Sequence, residues 1–169
     1  MTDLLQHIPA WVDGVLTPVG KLDVHQRGLR HPAVSVMILS GDRMLIQRRA
    51  LAKYHTPGLW ANACCTHPNW GEAPLDCAER RLREELGITG LALTHRTQLE
   101  YRADVGGGLT EHEVVVLFTA EAGPDLAMDL NPEEVAEVRW IGLDDLRAEI
   151  AAEPARFTPW FRIYVAEHL

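Results

Sequence analysis

Strand-like patterns, then one helix, then more strands and a closing pair of helices predict an α+β architecture: a mixed sheet sandwiched between helices rather than a regular doubly wound sheet. The chain's 169 residues, 47% hydrophobic and 24% charged, have the size and balance needed to bury a proper core. No repeat, low-complexity tract or long linker interrupts it. Residues 1–169 are therefore expected to form a single domain, with residues 1–20 as an N-terminal extension or a lid over a site.

The elements follow in order. Val34 to Leu39 and Met44 to Arg48 are apolar, β-branched runs around Gly41-Asp42, a hairpin signal. Lys53 to Asn62 carries Pro57-Gly58 and reads as a loop. From Pro74 onward Ala78, Leu82 and Leu86 recur every four residues, with Pro in the first turn and Gly87 just past the end, so a helix is predicted there. Its other face holds Arg80, Arg81, Arg83, Glu84 and Glu85. Gln98 to Ala103 and Glu111 to Ala120 are predicted strands, joined through Gly106-Gly107-Gly108 as a mobile loop. Val138 to Ile141 reads as a last short strand, and Leu143 to Ala152 and Pro159 to Leu169 as helices.

Sixteen Lys and Arg against 24 Asp and Glu give a net charge of −8, which argues against a nucleic-acid partner. A phosphorylated small molecule stays compatible, because a few local cations or a metal reverse the field locally. No apolar run approaches bilayer length and no basic leader precedes one, so a cytoplasmic protein without a membrane partner is expected, monomeric or homodimeric. Three cysteines, two of them adjacent, make a poor disulfide framework, and reduced thiols are expected.

Chemistry concentrates between Ala63 and Gly87. Alternation in an extended segment turns Cys64 and Cys65 to opposite sides, and Cys77 lies on the apolar side of its helix as a small buried hydrophobe. Glu111 and Glu113 are two apart in a strand, so both carboxylates share a face while His112 points away. Such a pair repels unless a cation or a shared proton lies between. Adding His25, His31 and His67 makes an N3O2 donor set suited to Mn, Fe or Zn and too rich in nitrogen for Mg.

The helix resembles the Nudix box, G-x5-E-x7-R-E-U-x-E-E-x-G-U: Glu72, Arg80, Leu82, Glu84, Glu85, Gly87 and Ile88 fall on its positions. Thr66 replaces the opening glycine and Arg81 the glutamate after the arginine. A cation at that second position removes a metal ligand of the hydrolases. The substituted helix, together with Cys65-Thr66-His67-Pro68, resembles the type I isopentenyl diphosphate isomerases, which share the Nudix fold. The likeness runs from about Lys21 to Trp160, through Thr56-Pro57-Gly58-Leu59-Trp60, Tyr101-Arg102-Ala103 and Phe157-Thr158-Pro159-Trp160.

That resemblance implies conversion of isopentenyl diphosphate to dimethylallyl diphosphate for isoprenoid synthesis, through protonation to a tertiary carbocation and loss of another proton. It implies Cys65 and Glu113 as the acid and base on opposite faces of the substrate, Tyr101 as a partner of Glu113, and Trp160 as the aromatic face against the cation, a contact contributing on the order of 2 kcal/mol when desolvated. Lys21, Arg49, Lys53 and Arg81 map to diphosphate-binding cations. His25, His31, His67, Glu111 and Glu113 map to a site for Mn2+ or Zn2+, and Glu85 to a Mg2+ that bridges the substrate. His25 and His31 differ by six positions where the family has seven, which a shortened loop accommodates. His7, His55, His95, His112 and His168 match no ligand position and read as surface or structural. Two other readings stay open at this point: a Nudix hydrolase releasing phosphate or pyrophosphate, and an inactive sensor that binds metal or diphosphate without proton exchange.

Overall fold

Residues 6–169 are described by the structure, a computed structural model. The chain begins with a hairpin, β1 (His7–Val12) and β2 (Val15–Gly20), followed by α1 (Lys21–Arg27). Next come β3 (His31–Ser40), β4 (Arg43–Arg49), β5 (Trp60–Asn62), β6 (Cys64–Thr66) and α2 (Pro74–Leu86). Long strands β7 (Thr94–Gly106) and β8 (Leu109–Glu121) precede β9 (Val135–Gly142), α3 (Leu143–Ala152), a single 3-10 turn and α4 (Pro159–His168).

The main sheet runs β5-β4-β3-β8-β7, with β6 also pairing β3 and β9 also pairing β4. Only β3 and β8 are parallel, from His31 opposite Glu113 to Leu39 opposite Glu121, so the sheet is mixed as expected. Side chains alternate between its two faces. On one, Met37, Val115, Leu117 and Tyr101 pack against Leu146 and the α4 residues Trp160, Phe161 and Tyr164. On the other, Val34, Val36, Ile38 and Phe118 pack against Cys77, Ala78, Leu82 and Leu86 of α2. Helices thus cover both faces, and each fully buried aliphatic or aromatic side chain stabilises by about 1.5–3 kcal/mol over leaving it exposed.

The predicted strands recur with longer ends, and the predicted Lys53 to Asn62 loop stops at Leu59 because Trp60–Asn62 forms β5. β3 begins at His31, which brings that histidine into the sheet itself. The glycine triplet is a correction. Strands β7 and β8 run right up to it, Gly106 closes β7, and Gly107 and Gly108 form a tight two-residue turn with φ of +64° and +75°. Two successive positive φ values match the right-handed twist of paired strands, so the glycines build a hairpin and not a loop.

On α2, Pro74 occupies the first turn and Gly87 caps the end with φ +66°. A Cβ at Gly87 would lie 2.7 Å from the Asp129 backbone, because the segment after β8 crosses the helix end there. Asp129 N–H donates to Leu86 O and Asn131 N–H to Glu85 O, both at 2.9 Å, satisfying carbonyls that a helix end leaves unpaired. Glu134 follows on the same segment and pairs with Lys53 at 2.6 Å. On the charged face of α2, Glu85 is buried and lines the site.

Candidate active site and metal centre

Strand β8 supplies the centre of the site. Glu111 and Glu113 project from one face and are each 1% exposed, while His112 points outward to bond Glu100. His31 lies opposite Glu113 in the parallel pairing, and Tyr101 lies opposite it in the antiparallel one. His67 follows β6 directly. His25 arrives from α1, whose C-terminus is closed by Gly28 in the left-handed region. The offset between His25 and His31 is thus taken up by a helix cap and a short turn into β3, where sequence suggested only a shortened loop.

Four donor atoms, one each from His25, His31, His67 and Glu111, lie within 4.8 Å of one another, and all four residues are buried. His25 Nε2 is 3.2 Å from Glu111 Oε1, and His31 Nε2 is 3.4 Å from Glu111 Oε2. His67 Nε2 and Glu113 Oε1 are 3.0 Å apart. Nδ1 of His25 faces the carbonyl of Lys21 at 2.6 Å, and Nδ1 of His31 the carbonyl of Leu29 at 2.7 Å. A carbonyl only accepts, so each Nδ1 carries a proton and each Nε2 is the atom turned toward the carboxylates, where a metal would take its lone pair. Those two Nε2 atoms and Glu111 Oε2 are buried without a hydrogen-bond partner. Nitrogen and oxygen donors converging in a buried space call for a cation, and the donor set fits a divalent metal, with backbone carbonyls already fixing how the rings are turned.

With no ion between them, the same carboxylates draw a proton onto His31, one that a bound metal would displace. Burial alone would lower His31, yet its contacts with Glu111 and Glu113 outweigh burial and carry it up to about 10. Burial would likewise raise Glu111, but the surrounding imidazoles hold it well below the usual carboxylate range. His55 goes the other way, down to about 4, because burial dominates and Arg49 adds to it against the pull of Glu111.

Next to this cluster is a partly open cleft with about 30 Å³ of internal space. Lys21, Arg49, Lys53 and Arg81 line it together with Cys65, Glu85, Glu113 and Trp160. His67 and Glu111 line it too, so ten residues named from sequence meet at one cavity. Cys64 and Cys65 diverge as alternation requires: Cys64 packs toward α2, and the Cys65 sulfur faces the Tyr164 hydroxyl at 3.9 Å. Burial, reinforced by Glu113 and Glu111, pushes the Cys65 thiol well above its usual value, so it is held as a thiol. Tyr101 O–H donates to Glu113 Oε2 at 2.8 Å. Arg81 reaches Glu85 at 2.7 Å and Glu134 at 3.4 Å, while Gln47 donates to the other Glu85 oxygen at 3.0 Å. The Arg49 guanidinium stands 5.5 Å from the centre of the Trp160 ring.

His55 overturns its expected place on the surface or in the scaffold. It is 6% exposed, its Nε2 is 3.2 Å from Glu111 Oε1, and its ring lies edge-on to Trp160. The loop from Ala50 to Leu59 folds inward here, which no periodicity announces. Tyr164, Gln47 and Glu134 were also missed. Tyr164 had a readable signal, since it sits one helical turn after Trp160 and must share its buried face.

Comparison with known proteins agrees with this geometry. The NUDIX domain profile matches residues 29–161. Among curated relatives, isopentenyl-diphosphate Delta-isomerase of Dinoroseobacter shibae is 67% identical over 95% of this chain and 92% of its own length. The protein of the same name from Rhodobacter capsulatus is 60% identical over the same shares. Among solved structures, a Deinococcus radiodurans protein superposes with a TM-score of 0.76 at 14% identity, over 95% of this chain and 98% of its own. A MutT NUDIX hydrolase from Burkholderia pseudomallei gives 0.64 at 23% identity, over 83% and 98%, and both speak to the fold alone. Among the described residues no helix is long and apolar enough to cross a membrane. With a matching domain profile, relatives of one name along nearly its whole length, and a thiol, a carboxylate and four cations around one cavity, this chain belongs to the isopentenyl-diphosphate Delta-isomerase family of NUDIX domain proteins.

Proposed function

We propose that the chain converts isopentenyl diphosphate to dimethylallyl diphosphate by moving one double bond, with Cys65 and Glu113 as the proton-transfer pair. One proton adds to the terminal methylene carbon, leaving a tertiary cation on the adjacent carbon. Loss of a proton from the next carbon forms the new double bond, so one proton enters, one leaves and no redox partner is consumed. The reaction runs both ways, so Cys65 and Glu113 exchange acid and base roles with direction. The observation that carries this reading is that a protonated thiol from β6 and a carboxylate from β8 line one cavity.

The four cations suit the diphosphate, and gripping that nonreacting end positions a small C5 tail that offers little to hold. Tyr101 orients Glu113, and Trp160 offers an aromatic face without a basic atom that would quench the cation. His25, His31, His67, Glu111 and Glu113 would hold a divalent ion, Mn2+ or Zn2+ by donor type. When bound, that ion supplies the positive charge that lets both carboxylates stay ionised side by side. Glu85, whose oxygens keep second lone pairs beyond Arg81 and Gln47, would meet a Mg2+ carried by the substrate. Arg81 replaces a carboxylate of the hydrolase motif and pairs with Glu84 and Glu85, which weighs against a hydrolase.

The test is incubation with isopentenyl diphosphate and Mg2+ in deuterated water. Wild type should yield deuterated dimethylallyl diphosphate, and Cys65→Ala and Glu113→Gln should not. Equal turnover by Cys65→Ala would remove the thiol from the mechanism. Release of phosphate or pyrophosphate without an alkene isomer would favour the hydrolase, and tight binding without deuterium uptake would favour a sensor.

A further inference from the structure

His55 is held differently from the imidazoles beside it. For His25 and His31, backbone carbonyls fix a proton on Nδ1 and leave Nε2 as the atom that faces the carboxylates. The Nδ1 of His55 instead meets the Thr56 hydroxyl at 3.0 Å, a group that can donate. With that hydroxyl donating to Nδ1, the ring proton sits on Nε2, which is 3.2 Å from Glu111 Oε1. The same carboxylate oxygen is also 3.2 Å from His25 Nε2.

The local backbone is strained to hold this arrangement. Thr56 has a φ of +46°, costly for a β-branched residue, and is 6% exposed. The strained pair sits on the loop that carries Lys53, and Arg49 Nη2 donates to the His55 carbonyl at 3.3 Å. One short segment therefore carries one cavity cation, accepts a bond from a second through its backbone, and meets a buried carboxylate through its ring.

We infer that His55 is a positioning residue of the metal centre: its Nε2–H holds Glu111 Oε1 and sets the orientation in which that carboxylate meets a divalent ion. The inference rests on reading the His/Glu cluster as a metal site. Outer hydrogen-bond partners of this kind change metal affinity by about 10- to 100-fold. His55 also ties the cation-bearing loop to the ligand carboxylate, so diphosphate grip and carboxylate orientation share one structural element.

The test is titration of chelator-stripped protein with Mn2+, reading free and bound ion by electron paramagnetic resonance. Wild type should bind. His55→Ala should bind about 10- to 100-fold more weakly, with a broadened bound spectrum, and His55→Gln, whose side-chain amide can donate in place of Nε2–H, should stay within about threefold of wild type. Thr56→Val, which removes the donor to Nδ1 but keeps shape, should weaken binding by several fold and covers the case in which His55→Ala does not fold. Unchanged affinity in His55→Ala, or His55→Gln as weak as His55→Ala, would overturn the assignment, the latter by showing that a ring lone pair or packing is what matters. Failure of wild type itself to take up Mn2+ would instead bring down the metal reading and this proposal with it.

Discussion

The Tyr101 hydroxyl donates to Glu113 Oε2, and burial pushes its own pKa well above the usual phenol value, so it remains a donor throughout the working range of pH. In Tyr101→Phe that buried carboxylate oxygen loses its partner. We expect stability to fall by about 1–2 kcal/mol in urea unfolding and deuterium incorporation to slow by about 10- to 100-fold, with the product unchanged. Single residues differ in how readable they were. Alternation put Glu111 and Glu113 on one face, while their roles and that of Tyr101 came from the family resemblance. His55 had no such signal, because a lone histidine in a Pro-Gly loop looks the same in sequence whether the loop folds inward or outward.

At the scale of elements, α2 shows why the motif helix is more than a metal scaffold. Arg80 makes two bonds to Glu72, at 2.6 and 2.9 Å, and Glu72 also accepts from Asn69 N–H at 2.8 Å, closing the loop that enters the helix. The Arg80 bonds, against the opposing effect of burial, lower Glu72 below its ordinary 4.5. A carboxylate lowered in the folded state contributes stability that is complete above about pH 4.5 and disappears as pH falls through the folded value. Glu72→Gln should therefore cost about 1–2 kcal/mol at pH 7, and the gap from wild type should shrink as unfolding is measured in progressively stronger acid. Elements with periodicity and punctuation, α2 and the β3–β4 hairpin, were legible. The seven residues of α1 and the three each of β5 and β6 are too short to carry a pattern and exist through tertiary contacts. The β1–β2 hairpin was legible and overlooked, since Asp13-Gly14 is a strong turn signal and both residues have positive φ.

The whole molecule carries a net charge of −8 yet gathers four of its 16 Lys and Arg around one cavity, where Glu85, Glu111 and Glu113 face them. The same folded arrangement crowds Glu111 and Glu113 among buried imidazoles, and a divalent ion that binds only this arrangement stabilises it by mass action. Adding Mn2+ at about 100 times its dissociation constant should raise stability by about 2.7 kcal/mol, and chelator should reverse the rise in melting temperature. The alternation along β8 has a further consequence. Sliding that strand by one position against β3 would export both acidic groups to solvent and bring His112 in their place. No half-correct pairing preserves the chemistry, so in a refolded sample the catalytic rate per mole of protein counts the fraction of chains in proper register.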